Sequence, residues 1–539
     1  MLRLSLVAAS CLLAGVCSAQ KMGGAYTINP NGTGARNFTS FLEASKNLFF
    51  FGIAAPVEMV VSPGTYKEEF FLLPVEGASA TNTIKFRPQV PVGVTVRLES
   101  VATNGTIATM FPGVSALPGG FYIFDGFTFN QGGTAIEAGA NTSDITIQNC
   151  VFESAFSPSR GVIYCEGAAS SLRWMLKGNT FKVPASRRGI YGSQIGSWVI
   201  DRNTFELGDS TGGAGEALYL INNNNSQNDI SNNLFYGAMR NATTPCIAVD
   251  LSNINNEVVH NTIVLDTGDG IQSFGTSSNF NKIYGNLIYI KGSGTCLSIS
   301  ITSTSLQNWA SDGNLLYAPN GNVGQLGNTT YATLTAWQAA PNTNQTQRDQ
   351  NSISVDPQLM SINAPWDLRP NAGSPVQDAA VNTPAWLTQD FNGRYRDGTP
   401  DIGAYELNGF AVFGTACDGT GQKAPTMSAT GTVKLGSAVT IKVDNGPAGA
   451  PAILAFGLSS KMFGPIPLPF NIGGCSLYVS LDVLTATGLN AQGSGQSGVG
   501  IPNLPSLMGA TFYYQWLVID QGSVSPLGFT TSEGGAINL

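Results

Sequence analysis

Apolar and polar positions alternate over short stretches along much of this chain, without sustained helical spacing, and two patterns recur between Phe121 and Tyr317. The first is apolar-x-x-Asn-x-apolar. It runs Leu176 to Phe181, Ile200 to Phe205, Ile230 to Phe235, Val258 to Ile263 and Ile283 to Ile288, and Asn314 opens a degenerate last copy. Its asparagines are Asn179, Asn203, Asn233, Asn261, Asn286 and Asn314. Earlier copies put Cys150 in the Asn slot and Phe127 before it. The second pattern lies about 15 residues upstream and is a short strand with apolar anchors Ile136, Ile163, Ile190, Leu218, Ile247, Ile271 and Leu297. Successive anchors are 27, 27, 28, 29, 24 and 26 residues apart.

Two motifs sharing one period, with short β-branched strands and Gly/Asn/Ser turns, predict a β-solenoid. Leucine-rich repeats have a similar period, but their regular Leu spacing is missing; propeller blades need longer units. Coils stack at about 4.8 Å, so equivalent residues form columns. The Asn slot becomes an inward ladder of side-chain amides that satisfy one another along the axis. Cys246 and Cys296 share a slot two coils apart, with Gly270 between, hence roughly 9–10 Å apart. That exceeds the reach of about 7 Å between disulfide Cα atoms, so buried thiols are expected.

The chain here resembles the right-handed parallel β-helix proteins of the pectin-lyase-like superfamily, over about Gly24 to Leu407. The opening carries a Ser40-x-x-Glu43 capping box, then Val57 to Glu68 with Gly64-Thr-Tyr66. The closing part runs from Ser354-Val-Asp-Pro-Gln358 through Trp366 to Pro370 and on to Pro400-Asp-Ile-Gly-Ala-Tyr-Glu406. The resemblance implies an N-terminal capping helix and an architecture shared by lyases, hydrolases, esterases and adhesins, so it does not define an activity.

From Gly409 the repeat stops, and only nine of 131 residues are charged. Alternating stretches such as Ala438–Val443, Cys475–Ser480 and Phe512–Ile519 predict a small β-sandwich-like domain. It is similar to a C-terminal module of exported bacterial proteins, through Cys417, Gly474-Cys475, Pro467-Leu-Pro469 and Ile501 to Pro505 before Gln515-Trp516. The expected fold is therefore all-β. Residues 20–408 form the parallel β-helix, with its N-terminal cap and closing segment, and 409–539 form the sandwich-like module.

Composition sharpens this picture. Charged residues make up 11% of 539, and Lys+Arg 26 against Asp+Glu 34 gives a net charge of −8. That excludes a nucleic-acid binder and a charged disordered chain. The single histidine, His260, excludes multi-His metal centres. Residues 1–19 read as a signal peptide: Arg3, an apolar run from Leu4 to Val16, and Cys17-Ser-Ala19. No later segment reaches the roughly 20 apolar residues of a membrane span. The expected location is extracellular or at the cell surface, and the expected state is a monomer. Export permits disulfides, and Cys417 with Cys475 is the pair expected to form one.

Column arithmetic places Glu137, Tyr164, Tyr191, Tyr219, Ala248, Gln272 and Ser298 on one outward face. Three tyrosines on consecutive coils form a strip about 10 Å long. Aromatic faces suit the C–H faces of sugars, although the same strip also serves as a ladder that stabilises the sheet. Lys177 and Asp201 share another column as an exposed ion pair. Arg202 is the candidate cationic base or substrate clamp, with Lys177 as a second. His260 reads as a surface or turn residue. No cofactor is demanded; uronate chemistry would add Ca2+, for which Asp266 and Asp269 in one turn are the candidate ligands. Nine charges between Trp366 and Glu406 read as an ion-paired seal over the open end of the solenoid. Three functions follow: recognition of polysaccharide or cell-surface glycan, a uronate lyase acting by β-elimination, and a structural or adhesive surface protein.

Overall fold

A computed structural model describes residues 20–89, 95–101, 105–110, 119–131, 133–154, 161–166, 171–208, 212–221, 227–250, 256–275, 281–301, 309–340, 348–523 and 525–539. The segment read as a signal peptide, 1–19, lies outside the described residues. The chain forms two compact units. The first comprises 1–199, 203–228 and 247–253; the second comprises 200–202, 229–246 and 254–539.

In the first unit the chain winds through three parallel ladders. One runs from Met22–Ile28 through Ile53–Val61, Ile84–Pro88, Tyr122–Asp125 and Thr146–Gln148 to Met175–Lys177. The next runs from Gly64–Lys67 through Val96–Glu99, Thr128–Gln131, Val151–Ser154 and Thr180–Val183 to Thr204–Leu207. The third takes Phe70–Leu72, Ala108–Met110, Ile136–Ala138, Ile163–Cys165, Ile190–Ser193 and Leu218–Ile221. Neighbours in every ladder are parallel and one coil apart in sequence, which is a parallel β-helix. The anchors Ile136, Ile163, Ile190, Leu218 and Ile247 fall in register.

Inward columns hold like on like. Phe129, Phe152, Phe181 and Phe205 stack with ring centroids 4.7–4.9 Å apart, and Trp174 stacks on Trp198 at 4.7 Å. Asn179 Nδ2 donates to Asn203 Oδ1 at 2.9 Å and to the Ile147 carbonyl at 2.9 Å. In the Asn slot of the preceding coil, the Cys150 amide donates to Asn179 Oδ1. A helix, Phe41–Phe51, starts at Ser40, whose Oγ accepts the Glu43 amide. The Glu43 carboxylate accepts from Thr39, completing the box one residue earlier than its sequence form implies. Glu68 accepts the Phe41 and Leu42 amides, and Phe41 packs on Tyr66, Phe70 and Phe86.

The second unit continues the same pattern. Parallel ladders join Asn256–Val259, Asn281–Tyr284 and Trp309–Asp312, then Leu234–Gly237, Thr262–Leu265, Leu287–Ile290 and Leu315–Tyr317. A third ladder takes Asp269–Gly275, Thr295–Ile301 and Asn322–Leu326, and ends on the antiparallel strand Thr329–Tyr331. Asn233, Asn261, Asn286 and Asn314 form the ladder, each Nδ2 donating to the next Oδ1 at 2.9–3.2 Å. A second amide pair, Asn256 to Asn281, was not read from the sequence. Cys246 and Cys296 are buried free thiols, as are Cys150 and Cys165 in the first unit.

The closing segment corrects the expectation of an end seal. Trp337 and Asp349 cover the last coil instead: Trp337 lies against Gly324, and Asp349 accepts from Ser311, Asn314, Trp337 and Ser352. The stretch 366–406 is a strap along the side of the coils. Its Leu368, Val376, Ile402 and Ala404 join Leu234, Val264, Leu287, Tyr289 and Leu315 in one apolar cluster. Its polar anchors sit on the turns that precede the ladder asparagines. Arg202, Asn232, His260, Gly285 and Gly313 all have positive φ, between 52° and 64°. That left-handed turn exposes the backbone, and the strap fills it. Gln389 meets Arg202 and Asn232, Arg396 meets Asn232, Thr383 meets His260, and the Gly403 amide donates to the Gly285 carbonyl. A Cβ on Gly403 would come within 2.8 Å of Thr262 Oγ1, so only glycine permits this approach. The expected charge pairing is present as Arg396–Glu406 at 3.1 Å, fully buried.

After the strap come two larger antiparallel sheets and two two-stranded ones. Five strands order as Gly409–Phe413, Phe529–Asn538, Thr511–Ile519, Pro451–Gly457 and Val483–Gly488; three order as Thr426–Gly431, Ala438–Asp444 and Gly495–Gly500. Val439, Ile441 and Val443 from one sheet share an apolar cluster with Leu454, Trp516 and Ile537 from the other. A disulfide joins Cys417 to Cys475, with Cα atoms 5.0 Å apart.

Candidate functional site

The outward column of the first unit follows from register. Glu137 pairs with Tyr164, Tyr164 with Tyr191, Tyr191 with Tyr219, and Tyr219 with Ala248. Alternation along each strand sends these side chains out, while Ile136, Ile163, Ile190 and Leu218 turn into the core. Ring centroids are 4.8 Å apart for Tyr164 and Tyr191 and 5.7 Å for Tyr191 and Tyr219, both pairs at 20°. The ring faces are thus covered by one another. Tyr164 and Tyr191 are each 8% exposed. What the column offers a ligand is therefore its hydroxyl edge rather than an aromatic platform.

Charged groups gather along that edge. Tyr164 OH donates to Glu166 Oε2, and Tyr191 OH lies 3.5 Å from Glu166 Oε1. Burial, then the Glu166 charge, raises the Tyr191 phenol above its ordinary value, so it stays a protonated donor. Arg188 sits over Tyr219 at 4.2 Å and over Tyr191 at 5.7 Å, and pairs with Glu216 at 2.7 Å. Glu137 accepts from Thr106 Oγ1 at 3.2 Å. Arg188, Glu166 and Glu216 were not read from the sequence. Each lies two or three residues from a column tyrosine, a spacing that carries no periodic signal. Gln272 and Ser298, expected on the same face, pair with each other in the second unit.

Other candidate residues are placed apart. Lys177 is half-buried in register with Gln148. Arg202 donates to Gln389 at 2.9 Å and lies 3.5 Å from Asp201, and its side chain is only 19% exposed. His260 does occupy a turn, but it is fully buried under the strap, and its Nε2 meets Thr383 Oγ1 at 2.8 Å. Burial first, and then Arg396, hold the imidazole well below its ordinary pKa. Asp266 pairs with Lys291. Asp269 is buried, accepts the Thr295 amide at 2.8 Å, and is pushed up to about 6 by burial. These two carboxylates are thus engaged separately. Among the described residues no group of three or more His, Cys, Asp or Glu could hold a metal ion, and no helix is long and apolar enough to cross a membrane.

No family model matches the chain, and no curated protein matches it. Among solved structures, an alginate lyase from Paenibacillus sp. str. FPU-7 has 13% identity and a TM-score of 0.33, covering 53% of this chain and 94% of that one. Pectate lyase Pel9A has 12% identity and a TM-score of 0.24, covering 72% of this chain and 98% of that one. A full-length tailspike protein 2 of an Escherichia coli O157:H7 bacteriophage has 10% identity and a TM-score of 0.28, covering 96% of this chain and 68% of that one. Similarity this distant does not bear on function, and the fold rests on the strand register itself.

Proposed function

We propose that this is an exported right-handed parallel β-helix protein that recognises an extracellular polysaccharide along the hydroxyl edge of the tyrosine column, without cleaving it. The observation that supports this reading is the convergence of Tyr164 and Tyr191 on Glu166. Stacked rings hold the phenols at coil spacing, and sugar hydroxyls can donate to the carboxylates of Glu137 and Glu166 while accepting from Arg188. Three carboxylates (Glu137, Glu166, Glu216) against one guanidinium favour a neutral or amino sugar over a polyuronate. The engagement of Arg202 by Gln389 also favours recognition over β-elimination. In the same reading, residues 1–19 are a signal peptide, Phe41–Phe51 caps the helix, 409–539 is a β-sandwich-like module, and the protein acts as a monomer.

The test is retention on a panel of neutral and amino polysaccharides (β-glucan, xylan, mannan, chitosan) by affinity electrophoresis. At least one should retard the protein. Tyr191→Ala and Glu166→Gln should each weaken that retention about tenfold, the equivalent of one well-placed hydrogen bond. Absence of retention across the panel would overturn recognition and favour the structural or adhesive reading, and full retention by both variants would overturn the tyrosine column as the site.

A further inference from the structure

The antiparallel module carries a finger that takes no part in its apolar cluster. Residues 462–470 read Met-Phe-Gly-Pro-Ile-Pro-Leu-Pro-Phe, nine in a row with no charged, hydroxyl or amide side chain. The strand Met462–Phe463 pairs antiparallel with Ile466–Pro467, and the Leu468 amide closes the base on the Lys461 carbonyl at 2.8 Å. Ser459 Oγ accepts the Lys461 and Met462 amides at 3.1 and 3.0 Å, which fixes the base further. A Cβ on Gly464 would meet nothing within 4 Å, so the tip faces open space. Met462 and Phe470 are each 45% exposed, and Leu458, one residue before Ser459, is 62% exposed.

Four features select the partner. Pro465, Pro467 and Pro469 have no N–H, and the Met462 and Leu468 amides are bonded at the base, so little of the finger's backbone would go unpaired in an apolar medium. A specific protein interface takes about 20–30 residues a side with a polar rim, and this finger supplies neither. From Lys461 to Gly464 the chain advances three residues, a reach of about 10 Å at about 3.3 Å each. Interfacial segments are buried to a similar depth, about 5–10 Å, in a bilayer. The module, 409–539, has four lysines and five acidic residues, so the net charge of −8 lies almost wholly outside it. Its approach to a low-dielectric surface therefore desolvates few charges. We infer that residues 462–470 insert into the headgroup–acyl boundary of a lipid bilayer and seat the antiparallel module on that surface. The contact is separate from the tyrosine column and does not depend on it.

The test is cosedimentation of the full chain with large unilamellar vesicles, of phosphatidylcholine alone and in an equal mixture with phosphatidylglycerol. The chain should sediment with both. Raising NaCl from about 0.1 to 1 M should not release it, because apolar burial rather than charge holds it. The double change Met462→Ser and Phe470→Ser, both at exposed positions, should weaken binding at least about tenfold at an unchanged urea midpoint. Tyr191→Ala should have no effect. A second readout is independent of how the double variant folds. Pro465→Cys takes an environment-sensitive fluorophore, the native cysteines being buried or in the disulfide, and its emission should shift to the blue with vesicles. No sedimentation with either vesicle, release by salt, equal binding by the double variant, or a fluorophore that stays in water would each overturn the insertion. Lipid-free self-association that the double variant abolishes would assign the finger to a second copy and overturn the bilayer as its partner.

Discussion

Replacing Asn261 by Ala should cost the second unit about 4 kcal/mol, a figure that follows from counting partners. The Asn261 Oδ1 accepts from the Asn233 amide at 3.0 Å and from Asn233 Nδ2 at 2.9 Å. Its Nδ2 donates to the Ile230 carbonyl at 2.8 Å, to Asn286 Oδ1 at 3.0 Å and, at the longer distance of 3.2 Å, to the Val259 carbonyl. After truncation, Asn233 Nδ2 keeps the Ile200 carbonyl, and Asn286 Oδ1 keeps the Asn261 amide. The Asn233 amide N–H and the Ile230 carbonyl each lose a buried partner. At about 1–3 kcal/mol for each such loss, the sum lies at about 2–6 kcal/mol. Urea unfolding followed by tryptophan fluorescence reads this as a lower midpoint at unchanged slope. Adding Asn233→Ala should cost less than the sum of the two single changes, because both remove the same shared bonds. A single-variant loss under about 1 kcal/mol, or simple additivity, would refute the ladder as a mutually satisfied chain.

Two further predictions concern pH. The buried His260 titrates well below its ordinary value of about 6.5, so the stability its neutral form contributes is complete above that pH and is lost as pH falls below it. His260→Gln should therefore lose less stability than the parent between pH 7 and 5 in urea melts; Asp401 and Glu406 titrate in both proteins and cancel, and equal losses would contradict the account. Asp269 is raised to about 6, above its unfolded value of about 3.9, so its ionisation destabilises the fold as pH rises through 6. Asp269→Asn, which keeps an acceptor for the Thr295 amide, should be about 2–3 kcal/mol more stable than the parent at pH 8 and equal to it at pH 4; a constant difference would remove burial of the charge as the cause.

The repeat was legible because it rests on period alone. Residues one coil apart must stack, so the Asn slots and the anchors from Ile136 to Ile247 align from the sequence alone. The strap was not legible as a strap. Its sequence shows charges and a Gly-Ala-Tyr ending, and nothing local says whether they cover an end or a side. A signal did exist in the slot before each ladder Asn. Asn149, Gly178, Asn232, Gly285 and Gly313 favour left-handed turns, and Arg202 and His260 occupy the same turn without that preference. Two residues that pay that strain in an otherwise Gly/Asn slot mark a surface that something else contacts. Reading Arg202 as candidate chemistry and His260 as a surface or turn residue missed this, and contact with the strap accounts for both. The ring-to-ring stacking that turns the tyrosine column into a hydroxyl edge was likewise hidden, because register gives the column but not the tilt of the rings.

The asparagine chain has a direction. Each ladder asparagine of the second unit sends one Nδ2 proton back to a carbonyl of the preceding coil. Its other Nδ2 proton and its backbone amide proton go on to the next coil, so the end of the ladder presents donors that need an oxygen. Only at Asn314 does this stop, where Ser352 Oγ accepts its backbone amide and Asp349 its side chain. Residues 349–352 therefore act as a chain terminator in the polymer sense, quenching a growing end that would otherwise accept another coil from any copy able to offer one. Loss of Asp349 should matter less for the finished protein's shape than for its solubility while folding, when an unquenched end and a neighbouring molecule's first free acceptor are complementary.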